Sequence, residues 1–302
     1  MDWTDRVEGI RQWTKNGNRA PHKPLLLLYA LGRFQRDGGT PIRFEEARAD
    51  LDRLLSEFGP PNPTSAGYPF HHLVSDGVWE VRTLSGVGSP GSNIGDLVAQ
   101  QATGQLAADL VSALTDDSPL LAQLARLLLD KNFPVSLHAD ICAAAGLDLE
   151  VAETVEGTRA RKESRARSAQ FRKDVLLAYE YQCAFCGYDG LLGGNPVGLD
   201  AAHVRWWAFQ GPDDVANGIC LCALHHKLFD KGVLGLADDH RIAVTARFVG
   251  RSAAADRQVL DLLDRPLLPP QGGFPLPDAA HLGWHREQVF RPPTRQPRVH
   301  AV

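Results

Sequence analysis

Apolar residues in the first half of the chain recur mostly one helical turn apart. Val7, Ile10 and Trp13 fall at that spacing over 2–15, which predicts a helix there. Pro21 and Pro24 can open a second helix that runs from Leu25 to Gln35 and stops at Asp37-Gly38-Gly39. The pattern repeats over 44–58 and ends at Gly59-Pro60-Pro61. Aromatic and β-branched residues over 68–74 and 78–81 predict two short strands around Ser75-Asp76-Gly77. A Gly/Ser/Pro loop over 85–93 follows, then helices over 94–114, 120–130 and 137–145.

Periodicity then lapses. Residues 149–168 are polar, charged and poor in large apolar side chains, which reads as a linker. A helix over 171–181 leads to a region of short strands, including 199–204, 218–221, 233–236 and 241–246. From Pro266 the chain is proline-rich and is expected to wrap a surface. The resulting layout is α+β. A helical, short-sheet domain spans 1–148, a linker 149–168, a second domain 169–250 and a C-terminal extension 251–302.

Composition narrows the class. The 302 residues, 44% hydrophobic and 23% charged, suit a soluble two-domain protein. No apolar run nears the roughly 20 residues of a membrane helix, and the N-terminus lacks a signal-peptide pattern. A cytoplasmic protein with no membrane partner is expected. The net charge is −4, yet basic residues concentrate. Seven lie in 1–36 against three acids, and seven in 159–173 against Glu163 alone. Such zones fit local contact with phosphates or, equally, solvated helix faces.

The densest chemistry lies between Cys183 and Asp230. Four of the five cysteines fall here, and such clustering in a cytosolic chain points to metal rather than disulfides. Cys142, outside the cluster, reads as a buried apolar residue. Cys183-x-x-Cys186 and Cys222-x-x-His225 form two ligand pairs, together a closed Cys3His site of the kind structural zinc occupies. Cys220 is the rival ligand, set aside on the expectation that it faces away from Cys222. Between the pairs, His203 ends one strand and Asn217 begins the return strand. His226 opens a helix that places it on one face with Asp230, at i and i+4.

This set of residues, from about Phe171 to Leu236, resembles the HNH endonucleases (ββα-metal nucleases), in particular the zinc-supported type related to modified-DNA restriction enzymes. His203, Asn217 and His226 stand at the H, N and H positions. The resemblance implies that His203 is the general base, that Asn217 orients it or holds its loop, and that His226 binds catalytic Mg2+ or Mn2+. Asp230 and Asp200 are further candidate ligands of that cation. Two departures stand out. Ala202 occupies the place where many members carry a metal-binding acid or histidine, and His225 stands where zinc-bearing members often have cysteine.

In the first half, Arg19-Ala20-Pro21-His22-Lys23-Pro24 places a histidine and a lysine at a helix N-terminus, where an anion is favoured. Tyr68-Pro69-Phe70-His71-His72 sets aromatics and a proline beside histidines. These segments resemble the sulfur-binding domain of phosphorothioation-dependent restriction endonucleases. The resemblance implies that Tyr68, Pro69 and His72 line an apolar pocket for the sulfur, while Arg19, His22 and Lys23 hold the phosphate or a neighbouring base. The expected protein is therefore a modification-dependent endonuclease acting on phosphorothioated double-stranded DNA, as a homodimer. The alternatives are an HNH enzyme that reads another mark, such as methylcytosine, or a noncatalytic zinc-containing DNA-binding regulator.

Overall fold

Helix α1 (Trp3–Glu8) starts at the Asp2 cap and ends at Gly9, shorter than the helix expected over 2–15. Ile10 turns into the core and the Asp76 carboxylate takes the Arg11 N–H (3.1 Å), so the chain leaves the helix early. Strands β1 (Thr14–Lys15) and β2 (Asn18–Arg19) then pair antiparallel. The chain's structure is a computed structural model that describes residues 2–15, 18–62, 64–149 and 159–297, with side chains described except at 15, 18 and 159–168. It divides into two units, Met1–Glu156 and Gly157–Val302.

Helix α2 (His22–Asp37) is the axis of the first unit. Every residue from His22 to Gly32 is buried, as expected of a helix that is apolar all round. Gly38, in the left-handed region, ends it. Strand β3 (Ile42–Arg43) leads into α3 (Phe44–Phe58). The segment expected as a strand over 68–74 is instead helix α4 (Gly67–His72), followed by a 3-10 turn, Leu73–Asp76. Ala66, Phe70 and Leu73 are fully buried and fall at helical spacing, and Phe70 wedges between Phe44 and Trp79. Packing of that one face overrides the strand preference of the aromatics.

Strands β4 (Trp79–Thr83) and β5 (Gly86–Val87) come next, then α5 (Ile94–Ala99), β6 (Thr103–Leu106) and α6 (Ala108–Asp116). The helix expected over 94–114 is thus interrupted by β6, which pairs with both β3 and β4 in the antiparallel order β3-β6-β4-β5. Gly104 explains the interruption: a Cβ there would lie 2.0 Å from the Trp79 ring, so only glycine lets β6 lie beside that indole. Helices α7 (Ser118–Asn132) and α8 (Val135–Ala145) close the unit, and Cys142 on α8 is buried as expected.

In the second unit, α9 (Arg159–Ala178) begins within the stretch read as linker; residues 150–158 of that stretch lie outside the described residues. Strands β7 (Leu191–Leu192) and β8 (Asn195–Pro196) form a small hairpin. Strand β9 (Leu199–His203) pairs antiparallel with β10 (Gly218–Cys222), setting His203 opposite Gly218. Helix α10 (Ala223–Asp230) follows directly, giving strand, loop, strand and helix. Strands β11 (Leu234–Leu236) and β12 (Ile242–Val244) pair antiparallel, and α11 (Ala253–Gln258) and α12 (Ala279–Gln288) complete the unit.

The C-terminal extension does more than wrap the surface. Val259, Leu262, Leu267 and Leu282 belong to the same core as β9, β10 and Phe229. No helix among the described residues is long and apolar enough to cross a membrane.

Candidate metal centre and nucleic-acid site

The knuckle Cys183–Cys186 is a tight turn: Gly187 donates to the Cys183 carbonyl (2.7 Å) and Cys183 to that of Tyr188 (2.8 Å). The Ala184 N–H bonds the Cys220 carbonyl (2.8 Å), which ties the knuckle to β10. Cys222 is the N-cap of α10 and His225 sits in its first turn, a spacing that brings the two side chains together at the helix start. The donor atoms of Cys183, Cys186, Cys222 and His225 all lie within 4.8 Å of one another. His225 Nδ1 faces the thiols, 3.2 Å from Cys222 Sγ and 3.4 Å from Cys183 Sγ. Its other nitrogen bonds the Gln258 carbonyl at 2.8 Å, the kind of outer contact that fixes a ligating imidazole.

Electrostatics agree with a cation site. Hydrogen bonds from Cys183 and Cys186 hold the Cys222 thiol far below its ordinary range, while bonds to Cys186 and Cys222, with burial, push Cys183 far above it. Burial lowers the His225 pKa, but bonds to Cys183 and Cys222 outweigh it and lift the imidazole to about 10. Groups this close compete for protons that a cation would displace. Cys220 is not in the set; it is buried in the core, and burial raises its thiol to about 12. Strand alternation is not the reason, because residues two apart project to the same side. Cys222 differs because β10 gives way to α10 there.

The H-N-H residues converge on one end of the hairpin. The His203 ring stacks on Phe171 of α9 (3.9 Å between centroids, 15°), and its Nε2 lies 2.8 Å from Asp213 Oδ1. Burial pulls the His203 pKa below its ordinary value, while Asp213 and Asp230 pull the other way. The Asn217 side chain does not reach the imidazole. It holds the loop: Oδ1 accepts from the Arg205 N–H (2.8 Å), and Nδ2 donates to the carbonyls of Arg205 and Pro212 (2.9 Å each).

His226 Nε2 meets Asp230 Oδ2 at 3.2 Å, and its Nδ1 lies 3.9 Å from Asp200 Oδ2. Burial lowers the His226 pKa, but Asp230 and Asp200 outweigh it and leave a net rise. The Trp206 indole donates to the other Asp230 oxygen (3.2 Å), and Arg172 donates to Asp200 (3.0 Å). Asp213, Trp206, Arg172 and the Gln258 carbonyl were invisible to motif spacing, since only the tertiary fold brings them in. His285 joins them: its ring stacks on Phe229 at 3.8 Å and bonds the Phe229 carbonyl, which clamps α12 onto α10.

In the first unit the helical form of α4 puts Tyr68 and His72 on one face, with ring centroids 4.3 Å apart, and turns Phe70 inward. The His22 ring lies 6.0 Å from that of Tyr68, edge to face. His22 is buried, neither ring nitrogen has a hydrogen-bond partner among the described residues, and burial lowers its pKa to about 4. Unmet polar atoms of this kind point to a ligand. Burial, then His71 and Lys23, lower the pKa of His72. Pro69 is buried in α4 and Arg19 sits in β2. Lys23 is committed elsewhere: its Nζ meets Asp76 Oδ2 at 2.6 Å.

Residues 1–150 match the family described as the ScoMcrA-like DNA sulfur-binding domain, and residues 183–237 match an HNH endonuclease family. Among solved structures the chain is similar to the sulfur-binding domain of ScoMcrA complexed with phosphorothioated DNA. The identity is 23% and the TM-score 0.42, over 49% of this chain and 96% of that one. The corresponding SprMcrA domain, also complexed with phosphorothioated DNA, is 20% identical with a TM-score of 0.42, over 48% and 95%. The type IV phosphorothioation-dependent restriction endonuclease ScoMcrA is 19% identical with a TM-score of 0.39, over 52% of this chain and 31% of that one. No curated protein matches the chain.

Proposed function

We propose, from a chain that joins a ScoMcrA-like DNA sulfur-binding domain to an HNH endonuclease domain, that it is a modification-dependent restriction endonuclease. It binds phosphorothioated double-stranded DNA and hydrolyses phosphodiester bonds nearby. The observation that carries the reading is the joint placement of His203, Asn217 and His226 around one hairpin, in the chain that also holds the sulfur-binding domain.

His203 takes a proton from water, and the oxygen attacks phosphorus as the bond to the leaving 3′-oxygen breaks. Burial favours the neutral imidazole that this step needs. Asn217 holds the loop around that base. His226, Asp200 and Asp230 are the side chains that would hold Mg2+ or Mn2+. A divalent cation bound there stabilises charge on the phosphate and on the leaving oxygen. Cys183, Cys186, Cys222 and His225 would hold Zn2+ as a closed structural site.

Tyr68, Pro69, His22 and His72 suit sulfur. Sulfur is more polarisable and less strongly hydrated than oxygen, and this group offers aromatic faces and weakly basic imidazoles. Arg19 supplies positive charge for the phosphate. Cutting both strands calls for two active sites, hence two copies of the chain. A DNA substrate suits action in the cytoplasm.

The test is cleavage of two matched plasmids, one phosphorothioated in vivo and one not, with Mg2+ or Mn2+ and an EDTA control. Cutting of the sulfur-bearing plasmid alone is expected. Equal cutting of both would remove the sulfur reading and keep the nuclease. No cutting of either would favour a noncatalytic DNA-binding protein.

A further inference from the structure

His203 makes one side-chain hydrogen bond among the described residues, and its partner is a carboxylate that the H-N-H pattern does not include. Asp213 Oδ1 lies 2.8 Å from Nε2. Neighbours hold this carboxylate in place. Pro212, one residue before, is tied by its carbonyl to Asn217 Nδ2 (2.9 Å). Asp214, one residue after, caps the next turn by accepting from the Ala216 N–H (2.8 Å), and its carbonyl accepts from the Asn217 N–H (2.8 Å). Gly211 leaves no slack, since a Cβ there would fall 1.8 Å from the Arg205 carbonyl oxygen. The imidazole is equally fixed, with Phe171 flat against one face and its backbone in the β9–β10 ladder.

We propose that Asp213 is the positioning residue of the general base: it accepts the Nε2–H of His203, fixing the tautomer and aiming an unprotonated Nδ1 at the attacking water. A histidine's base nitrogen is set by the bond its other nitrogen makes, and a carboxylate in that place also stabilises the imidazolium that forms as the water proton arrives. Asn217 then acts on both partners, because its side chain anchors Arg205, beside the base, and Pro212, beside the carboxylate. The charged groups acting on the ring are Asp213 from the loop and Asp230 and His226 from α10; α9 presents the uncharged Phe171. The inference rests on the nuclease reading above.

The test compares Asp213→Asn, Asp213→Ala and Asp213→Glu with wild type and His203→Ala in the full chain. Single-turnover cleavage of phosphorothioated duplex is measured across pH, Mn2+ binding by electron paramagnetic resonance, and the His203 ring titration by NMR. General-base catalysis contributes about 10²–10⁴-fold, so Asp213→Asn is expected to slow cleavage by roughly ten- to a hundredfold and His203→Ala by more. Loss of the carboxylate weakens the protonated ring, so the acidic limb of the pH profile and the NMR titration move to lower pH. Asp213→Glu recovers part of the rate, Asp213→Ala does not, and Mn2+ affinity is unchanged throughout. A wild-type rate, limb and ring titration in Asp213→Asn would overturn the inference alone. Lost Mn2+ binding would overturn it by making Asp213 a cation ligand. A wild-type chain that cuts no DNA would overturn the nuclease reading and this role with it.

Discussion

His285 and His22 are each buried in apolar surroundings, in different units, and burial lowers both to about 4 from the ordinary 6.5. A histidine with a depressed folded pKa binds fewer protons in the folded state than in the unfolded state over that window. Stability is therefore full above pH 6.5 and falls as pH drops toward about 4. At about 1.4 kcal/mol per pKa unit, each histidine makes folding about 3 kcal/mol less favourable at the bottom of the window. Calorimetry of wild type and His285→Gln at neutral and acidic pH tests this. The variant should lose less stability on acidification, since glutamine can donate to the Phe229 carbonyl without titrating. Parallel losses in the two proteins would count against His285. Neither role could be read from sequence, where His22 reads as a phosphate contact and nothing singles out His285. The short ligand pairs were legible because their geometry is local: Cys222 and His225 share one helix start. Asp213 was not, because the β9–β10 loop folds it back onto a residue ten positions earlier.

At the scale of elements, legibility followed the number of faces an element buries. Residues 44–58 and 118–145 were readable because one apolar stripe recurs at a steady period. The segment at 68–73 was misread because its aromatics divide between a core face and an outer face, and only the burial of Ala66, Phe70 and Leu73 reveals the helix. Strand β6 was missed because its defining residue is a glycine whose lack of a side chain is what matters. Gly218 is the same device in the second unit. A Cβ there would lie 2.3 Å from Val175 and 3.1 Å from Phe171, the residue that backs His203. Gly218→Ala should push α9 from the hairpin and cost about 1–3 kcal/mol, typical of overpacking. Cleavage should fall more than the loss of folded protein explains, because the His203 stack moves with α9. Thermal unfolding beside single-turnover cleavage measures both, and an unchanged rate per folded molecule would show that the stack does not matter to the base.

Across the whole chain, each unit has its own core and its own chemistry, so removal of the Cys3His ligation should separate the two activities. Cys186 is the informative ligand because it is exposed, so its loss removes a donor with little packing. The cluster joins the knuckle, the start of α10 and, through the Gln258 carbonyl, α11. His226 and Asp230 ride on α10 just beyond the cluster. In Cys186→Ser the unfolding transition of the second unit should fall by about 10 °C, given roughly 2–4 °C per kcal/mol for a unit of this size and a loss of several kcal/mol. Cleavage should disappear with it. The first unit contains none of the four ligands, and its His22, Tyr68 and His72 rings sit on α2 and α4. Binding of phosphorothioated duplex, followed by fluorescence anisotropy against the unmodified duplex, should therefore keep its preference for sulfur. Loss of that preference along with cleavage would mean that discrimination needs an intact nuclease unit, and that the sulfur-binding domain does not read the mark by itself.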